Sequence, residues 1–282
     1  MIRKFAFDAT ENVTKVHIDA RTSVEWEQWF LISSDRHWDN PDSDQKLQKK
    51  HLDEAVERGA MVIDLGDLLC LMQGKYDPRA TKSKVRPEHQ VDNYLDAIVD
   101  TAYDFFKPYA QNILQIGRGN HETAILKRHE TDMTKRLCSK LGVIDAGYSG
   151  WVFFTFKTGS TIETKRLFFH HGYGGDAPVT RGTIQTARMG LIYPDANIIV
   201  TGHTHNSWIF PIDRFRVAQN GTTYYDQQVH VKIPTYKEEF KKGKGGWHVE
   251  RGAPPKPLGA YWLRFYMGRD NKIKFQIMAA DL

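Results

Sequence analysis

Two histidines stand two residues apart in IIVTGHTH, residues 198–205. Ile198, Ile199 and Val200 read as a buried strand, Gly202 turns the chain, and His203 and His205 follow just past the strand end. Paired imidazoles at a strand terminus can hold a metal ion, although a solvated strand end would explain this stretch taken alone. Four further islands of ligand-type residues change the weighing: Asp35 and His37; Asp67; Asn120 and His121; His170 and His171. Each follows an apolar run or lies in a glycine turn, with glycines at 66, 117, 119, 172 and 202. Glycine there permits unusual backbone angles and close approach. A side chain just beyond the C-terminal end of a strand faces a cleft, where α/β folds place their ligands.

The donors in these islands are carboxylate, imidazole and amide, with no thiolate. That set suits two divalent ions, manganese first with zinc, iron or nickel as alternatives, better than a structural zinc. The ligands outnumber what one ion needs, and two ions about 3.5–4 Å apart sharing a carboxylate use them economically. Asp67 stands alone at its strand end and is the natural bridge.

The elements that must position these groups alternate. Strands are expected at 29–34, 60–65, 112–116 and 197–201, each ending at an island. Helices are expected at 43–59, at 91–105 ending before Pro108, at 125–141 and at 183–191, from apolar residues recurring at helical spacing. Segments 151–156 and 164–169 read as adjacent strands, the second running into His170. Beyond 205 the texture changes to strands at 208–212, 214–218, 224–233, 257–266 and 272–278, with a Lys-, Gly- and Pro-rich loop at 237–257. The pattern predicts an α/β fold, a two-sheet β-sandwich with helices outside it. A single domain over 1–282 accommodates it: an N-terminal extension at 1–28, the motif-bearing core at 29–210, and C-terminal strands with a basic loop at 211–282.

The formal net charge of +5 permits a polyanionic partner without demanding one. Cys70 and Cys138, the two cysteines, form no CxxC pair, which suits a reducing compartment. The N-terminus lacks the apolar run of a signal peptide, and no stretch approaches the roughly 20 apolar residues of a membrane span. The expectation is a cytoplasmic protein without a membrane partner. Oligomeric state is not legible.

The ordered motifs DxH (35–37), GD (66–67), GNHE (119–122), HG (171–172) and GHTH (202–205) resemble those of the calcineurin-like metallophosphoesterase superfamily, over roughly residues 29–210. The resemblance implies a four-layer fold with a dinuclear metal site at one edge of the sandwich. It implies that Asp35, His37, Asp67 and His205 hold the first metal. Asp67, Asn120, His203 and one histidine of the 170/171 pair would hold the second, and His121 would lie beside the scissile phosphate. The chain stops short of the extra domains carried by the superfamily's large DNA-repair nucleases and resembles compact bacterial or phage-type members.

Phosphate esters are anionic and resist attack by water. Two cations neutralise the nonbridging oxygens and acidify a water for in-line attack, and His121 can stabilise the phosphate or protonate the leaving oxygen. Arg36 and Arg118 flank ligands and could touch phosphate or pair with a carboxylate; Tyr173, Arg188 and Asn206 are weaker candidates of the same kind. Asp39 could anchor His37 or cap the following turn, and Glu122 is expected to orient a neighbour or accept backbone hydrogen bonds. Asp8, Asp19 and the remaining histidines (17, 51, 89, 129, 230 and 248) read as structural.

The expected substrate is a phosphodiester of DNA, RNA or nucleotides. The alternatives are a phosphomonoester of a phosphoprotein or small metabolite, and a metal-bound interaction module without turnover. The diester reading leans on a basic loop after Asp67, with Lys75, Arg79, Lys82, Lys84 and Arg86 against Asp77. A second basic segment at 241–246 precedes Trp247, His248, Arg251 and Lys256 and could track a single strand.

Overall fold

The structure is a computed structural model that describes residues 5–10, 12–72, 78, 80–175, 177, 179–240, 247–250 and 252–282. Lys75, Asp77, Arg79, Arg251 and segment 241–246 lie outside the described residues, as do the side chains of Lys82, Trp247 and His248.

Among the described residues, thirteen strands build two sheets. Those of the first are β1 (Phe5–Thr10), β2 (Val13–Asp19), β7 (Ser149–Thr158), β8 (Thr161–His170), β9 (Ile198–Thr201), β10 (Trp208–Val217) and β11 (Thr223–Lys232). They lie in the order β1-β2-β7-β8-β9-β11-β10. The second sheet uses β3 (Glu27–Ser33), β4 (Met61–Asp64), β5 (Ile113–Ile116), β6 (Ile144–Asp145), β12 (Tyr261–Met267) and β13 (Ile273–Ala279), in the order β13-β12-β3-β4-β5-β6. Both sheets are mixed: β3, β4, β5 and β6 run parallel, as do β8, β9 and β11, with antiparallel pairs toward the edges.

The central strands carry apolar runs, Trp29–Ile32, Met61–Ile63 and Ile198–Val200, because both of their faces are covered there. Phe30 and Ile32 of β3 and Met61 and Ile63 of β4 pack between the sheets against Phe154, Phe169, Val200 and Phe265. Leu31 and Val62 point the other way, toward α1 (Gln45–Glu57), α2 (Tyr94–Phe106) and α4 (Met133–Leu141) through Leu52, Ala55, Ile98, Phe106 and Leu137. On the first sheet Ile199 and Phe168 meet Met189 of α5 (Thr183–Ile192). The layers are therefore helices, sheet, sheet, helix, the four-layer architecture of metallophosphoesterases. No helix among the described residues is long and apolar enough to cross a membrane.

Several expectations are corrected. The helix expected over 125–141 is two, α3 (Asn120–His129) and α4, because Glu130 turns left-handed at φ 53° and Asp132 starts a new helix by accepting from the Lys135 N–H. The helix expected to end before Pro108 does so, α2 stopping at Phe106; Pro108 then takes the second position of a 3₁₀ turn over Lys107–Asn112, within the first turn where its missing N–H is tolerated. The two strands expected at 208–212 and 214–218 are one, β10, which tolerates Pro211 because it is an edge strand. The loop at 237–257 holds a short helix, α6 (Trp247–Glu250). The N-terminal extension contributes β1 and β2 as the edge of the first sheet, β2 lying parallel to β7.

Candidate metal centre

The segments after β3 and β4 lie side by side. The N–H groups of Asp35, His37 and Trp38 donate to the carbonyls of Gly66, Asp67 and Leu68 at 3.0, 3.0 and 2.8 Å. This zipper sets Asp35 and His37 beside Asp67. Close packing then excludes side chains at two neighbouring glycines. A Cβ on Gly119 would fall 2.0 Å from Asp67 Oδ1, and one on Gly202 would fall 2.0 Å from Ser34 Oγ and 2.6 Å from Asp35 Oδ2.

Two donor groups result. Asp35, His37 and His205 offer ligand atoms all within 4.8 Å of one another, and so do Asp67, His171 and His203. The first group is buried. The Nε2 atoms of His37 and His205 are 3.2 Å apart, and His205 Nε2 is 3.3 Å from Asp35 Oδ1. Asp35 Oδ1 and His37 Nδ1 are buried without a hydrogen-bond partner. Native structures satisfy nearly all buried polar atoms, and a cation held here would satisfy Asp35 Oδ1. Burial holds His37 well below the usual imidazole range, and the charge of His121 pushes the same way, so the ring is neutral as a ligand must be. Burial alone would raise the Asp35 carboxyl; His205 and His171 outweigh it and hold the group ionised.

The second group is tied together. Asn120 Oδ1 lies 3.1 Å from His171 Nε2 and 2.7 Å from His203 Nδ1. His171 Nε2 is 3.3 Å from Asp67 Oδ2, and its Nδ1 faces the Leu65 carbonyl. Burial would lower His171, but the Asp67 carboxylate lifts it to about 9. Asp67, despite burial, is held well below its ordinary value by His171 and His121. The two groups meet through backbone and charge: the His203 N–H donates to Asp35 Oδ2 at 2.8 Å, and the His121 N–H donates to Asp67 Oδ1 at 2.9 Å.

Within the 170/171 pair, His171 joins the cluster. His170 Nδ1 accepts from the Gly172 N–H at 2.9 Å, and its ring packs against Tyr148 and the exposed Tyr173. His121, in the first turn of α3, has its ring nitrogen Nε2 3.9 Å from Asp67 Oδ2, its Nδ1 at the Cys70 carbonyl and its ring against His37. Glu122 accepts from the N–H groups of Leu69, Gly119 and Asp67 at 2.9, 2.9 and 3.2 Å, holding the Asp67 loop to the start of α3. Burial, with Asp67 nearby, pushes its carboxyl up to about 8. Asp39 neither anchors His37 nor caps the adjacent turn: it accepts from the N–H groups of Cys70 and Leu71 and so fixes the carbonyl that meets His121.

Neither flanking arginine is directed at the cluster. Arg36 is buried, with Nε 2.9 Å from Asp64 Oδ2 and its guanidinium over the Tyr236 ring at 4.8 Å. Arg118 pairs with Asp132 and Asp145 at 2.7 and 3.1 Å. Arg188 is exposed on α5, against the outer face of the first sheet. Asn206 accepts from Lys256 Nζ. Lys84 pairs with Asp42, and Arg86 donates to the Asn40 carbonyl. Cys70 was missed: its ligand atom groups with those of His37 and His121 within 4.8 Å, so the donor set does include sulfur. Its position three residues after Asp67 was the available signal, but no spacing rule marks a lone cysteine.

No family model matches the chain, and no curated protein matches it. Solved structures do. A predicted phosphoesterase from Streptococcus pneumoniae is 12% identical at TM-score 0.34, covering 90% of this chain and 99% of its own. Zinc-complexed Vps29 from Entamoeba histolytica is 12% identical at TM-score 0.37, covering 89% and 99%. GAP50, the anchor in the inner membrane complex of Plasmodium, is 12% identical at TM-score 0.42, covering 90% and 84%.

Proposed function

We propose that the chain is a dinuclear metal-dependent phosphoesterase of the compact bacterial or phage type, acting on phosphodiester bonds of nucleic acid or nucleotides. The observation that carries this reading is the convergence of two donor groups, Asp35–His37–His205 and Asp67–His171–His203, with His121 at their margin. Asp35, His37, Asp67 and His205 would hold one ion, and Asp67, Asn120, His171 and His203 the other, with manganese proposed and zinc, iron or nickel as alternatives. Bound divalent ions supply Lewis acidity that neutralises a phosphate ester and activates water.

The chain's own groups do the rest. Asn120 orients His171 and His203 through one carbonyl oxygen. The Cys70 carbonyl fixes the His121 ring through Nδ1, leaving Nε2 turned toward Asp67. From that position His121 can give a proton to a leaving oxygen. Arg36 and Arg118 are both engaged by carboxylates, so the positive charge at the cleft falls chiefly to the ions. A singly charged diester asks less of such a site than a doubly charged monoester, which favours the diester.

The test is hydrolysis of bis-p-nitrophenyl phosphate against p-nitrophenyl phosphate with added manganese. Faster turnover of the diester is expected. Faster turnover of the monoester would move the assignment to a phosphomonoesterase. Metal retained with neither substrate cleaved would overturn the enzyme reading in favour of a metal-bound interaction module.

A further inference from the structure

We propose that Cys70, His37 and His121 form a third metal site, selective for a thiophilic divalent ion such as zinc, cadmium or cobalt. The site is distinct from the two oxygen- and nitrogen-donor groups and shares only His37 with the first of them. It stands on the arrangement of side chains and not on the phosphoesterase reading.

The Cys70 sulfur and one ring nitrogen each of His37 and His121 lie within 4.8 Å of one another. Cys70 is fully buried and His37 nearly so, while His121 is partly exposed and gives an entry side. The sulfur is held in place: Asn40 Nδ2 donates to Cys70 Sγ at 3.1 Å, and the Cys70 and Leu71 N–H groups donate to Asp39. His37 Nδ1 is buried and has no hydrogen-bond partner. One thiolate and two imidazoles are a donor set for soft or borderline ions, in contrast to the carboxylate-bearing groups beside it. As the sulfur–metal bond forms, the thiol proton passes to solvent, so each ion bound releases a proton from Cys70. An ion there also holds His121 away from any substrate.

The experiment is cobalt titration of the full chain, read by the thiolate-to-cobalt charge-transfer band in the near ultraviolet. With two cysteines in the chain, the assignment is direct. Cys138 is buried elsewhere, with its Sγ toward the Ile144 carbonyl. The band is expected in the wild type, unchanged in Cys138→Ser and lost in Cys70→Ser, which should still bind ions at the other two groups by metal analysis. Absence of the band in the wild type, its loss in Cys138→Ser or its persistence in Cys70→Ser would each overturn the proposal. Should Cys70→Ser fail to fold, the wild-type and Cys138→Ser spectra alone decide. Hydrolysis of bis-p-nitrophenyl phosphate by the manganese-loaded protein, measured before any cobalt is added, separates the two readings. A band without turnover keeps the sulfur site and sinks the phosphoesterase, and turnover without a band does the reverse.

Discussion

The two halves of the centre are built on opposite terms. Around Asp35, His37 and His205 the contacts are pairwise: His205 Nε2 lies 3.3 Å from Asp35 Oδ1 and 3.2 Å from His37 Nε2, while His37 Nδ1 is buried without a hydrogen-bond partner. Around Asp67, His171 and His203, the same kinds of residue are laced together through Asn120 Oδ1. The second half sustains itself through an internal network, with His171 and Asp67 as opposite charges. Proximity of ligands is thus compatible with two energetic states of the metal-free protein.

Mutations can break or sharpen this contrast. The largest effect belongs to Asp67, which touches the machinery of both halves. Asp67→Asn should lower metal affinity and turnover beyond the about 10- to 100-fold typical of removing a supporting group, as metal analysis and diester hydrolysis would read. Full metal content in that variant would refute a bridging role. Next is His121→Asn, which should cut turnover about 10²- to 10⁴-fold, the usual contribution of a proton-transfer group, while both ions stay. An emptied site would make His121 a ligand instead.

Chelation tests the contrast without mutation. An ion present at 100 times its Kd adds about 2.7 kcal/mol of stability, so a chelator should lower Tm measurably. Asp35→Asn should remove more of that difference than its effect on the chelated protein. Smaller again, Asn120→Ala should destabilise the metal-free protein by about 1–3 kcal/mol, because buried His171 and half-buried His203 lose their shared acceptor.

A control lies outside the centre. Burial, reinforced by Arg214, pushes His230 down to about 4. The unfolded chain takes up that proton near pH 6.5. Stability from this group is therefore full above about 6.5 and declines as pH falls through about 4. His230→Gln should flatten that part of the stability–pH curve and leave metal content unchanged.

Most of the architecture could be read from residues alone because central strands buried on both faces carry apolar runs, as in Ile198–Val200 and Met61–Ile63. The ligand islands were legible for a related reason: polar side chains ending such runs have few places to go. Other features were not. Nothing in RHETDM announces that Glu130 adopts a left-handed turn and splits a helix, since the apolar spacing continues across it. Arg36 lies between two ligands in sequence but points to the opposite side, where Asp64, a carboxylate ending an apolar strand, needed a counter-ion. A sharper reading would have asked what neutralises Asp64. Cys70 escaped because its significance comes only from two histidines brought to it by separate loops.

Five residues of the centre, Asp35, His37, Asp67, His203 and His205, have φ between 44° and 74°. That backbone region is disfavoured by roughly 1–2 kcal/mol for a side chain with a Cβ. The centre is thus a standing burden on the molecule, carried by the sandwich beneath it. Glycine at any of these positions would relax the backbone while deleting a donor. Selection for heat resistance alone would then erode the site one residue at a time, yielding a tougher protein with nothing left to do.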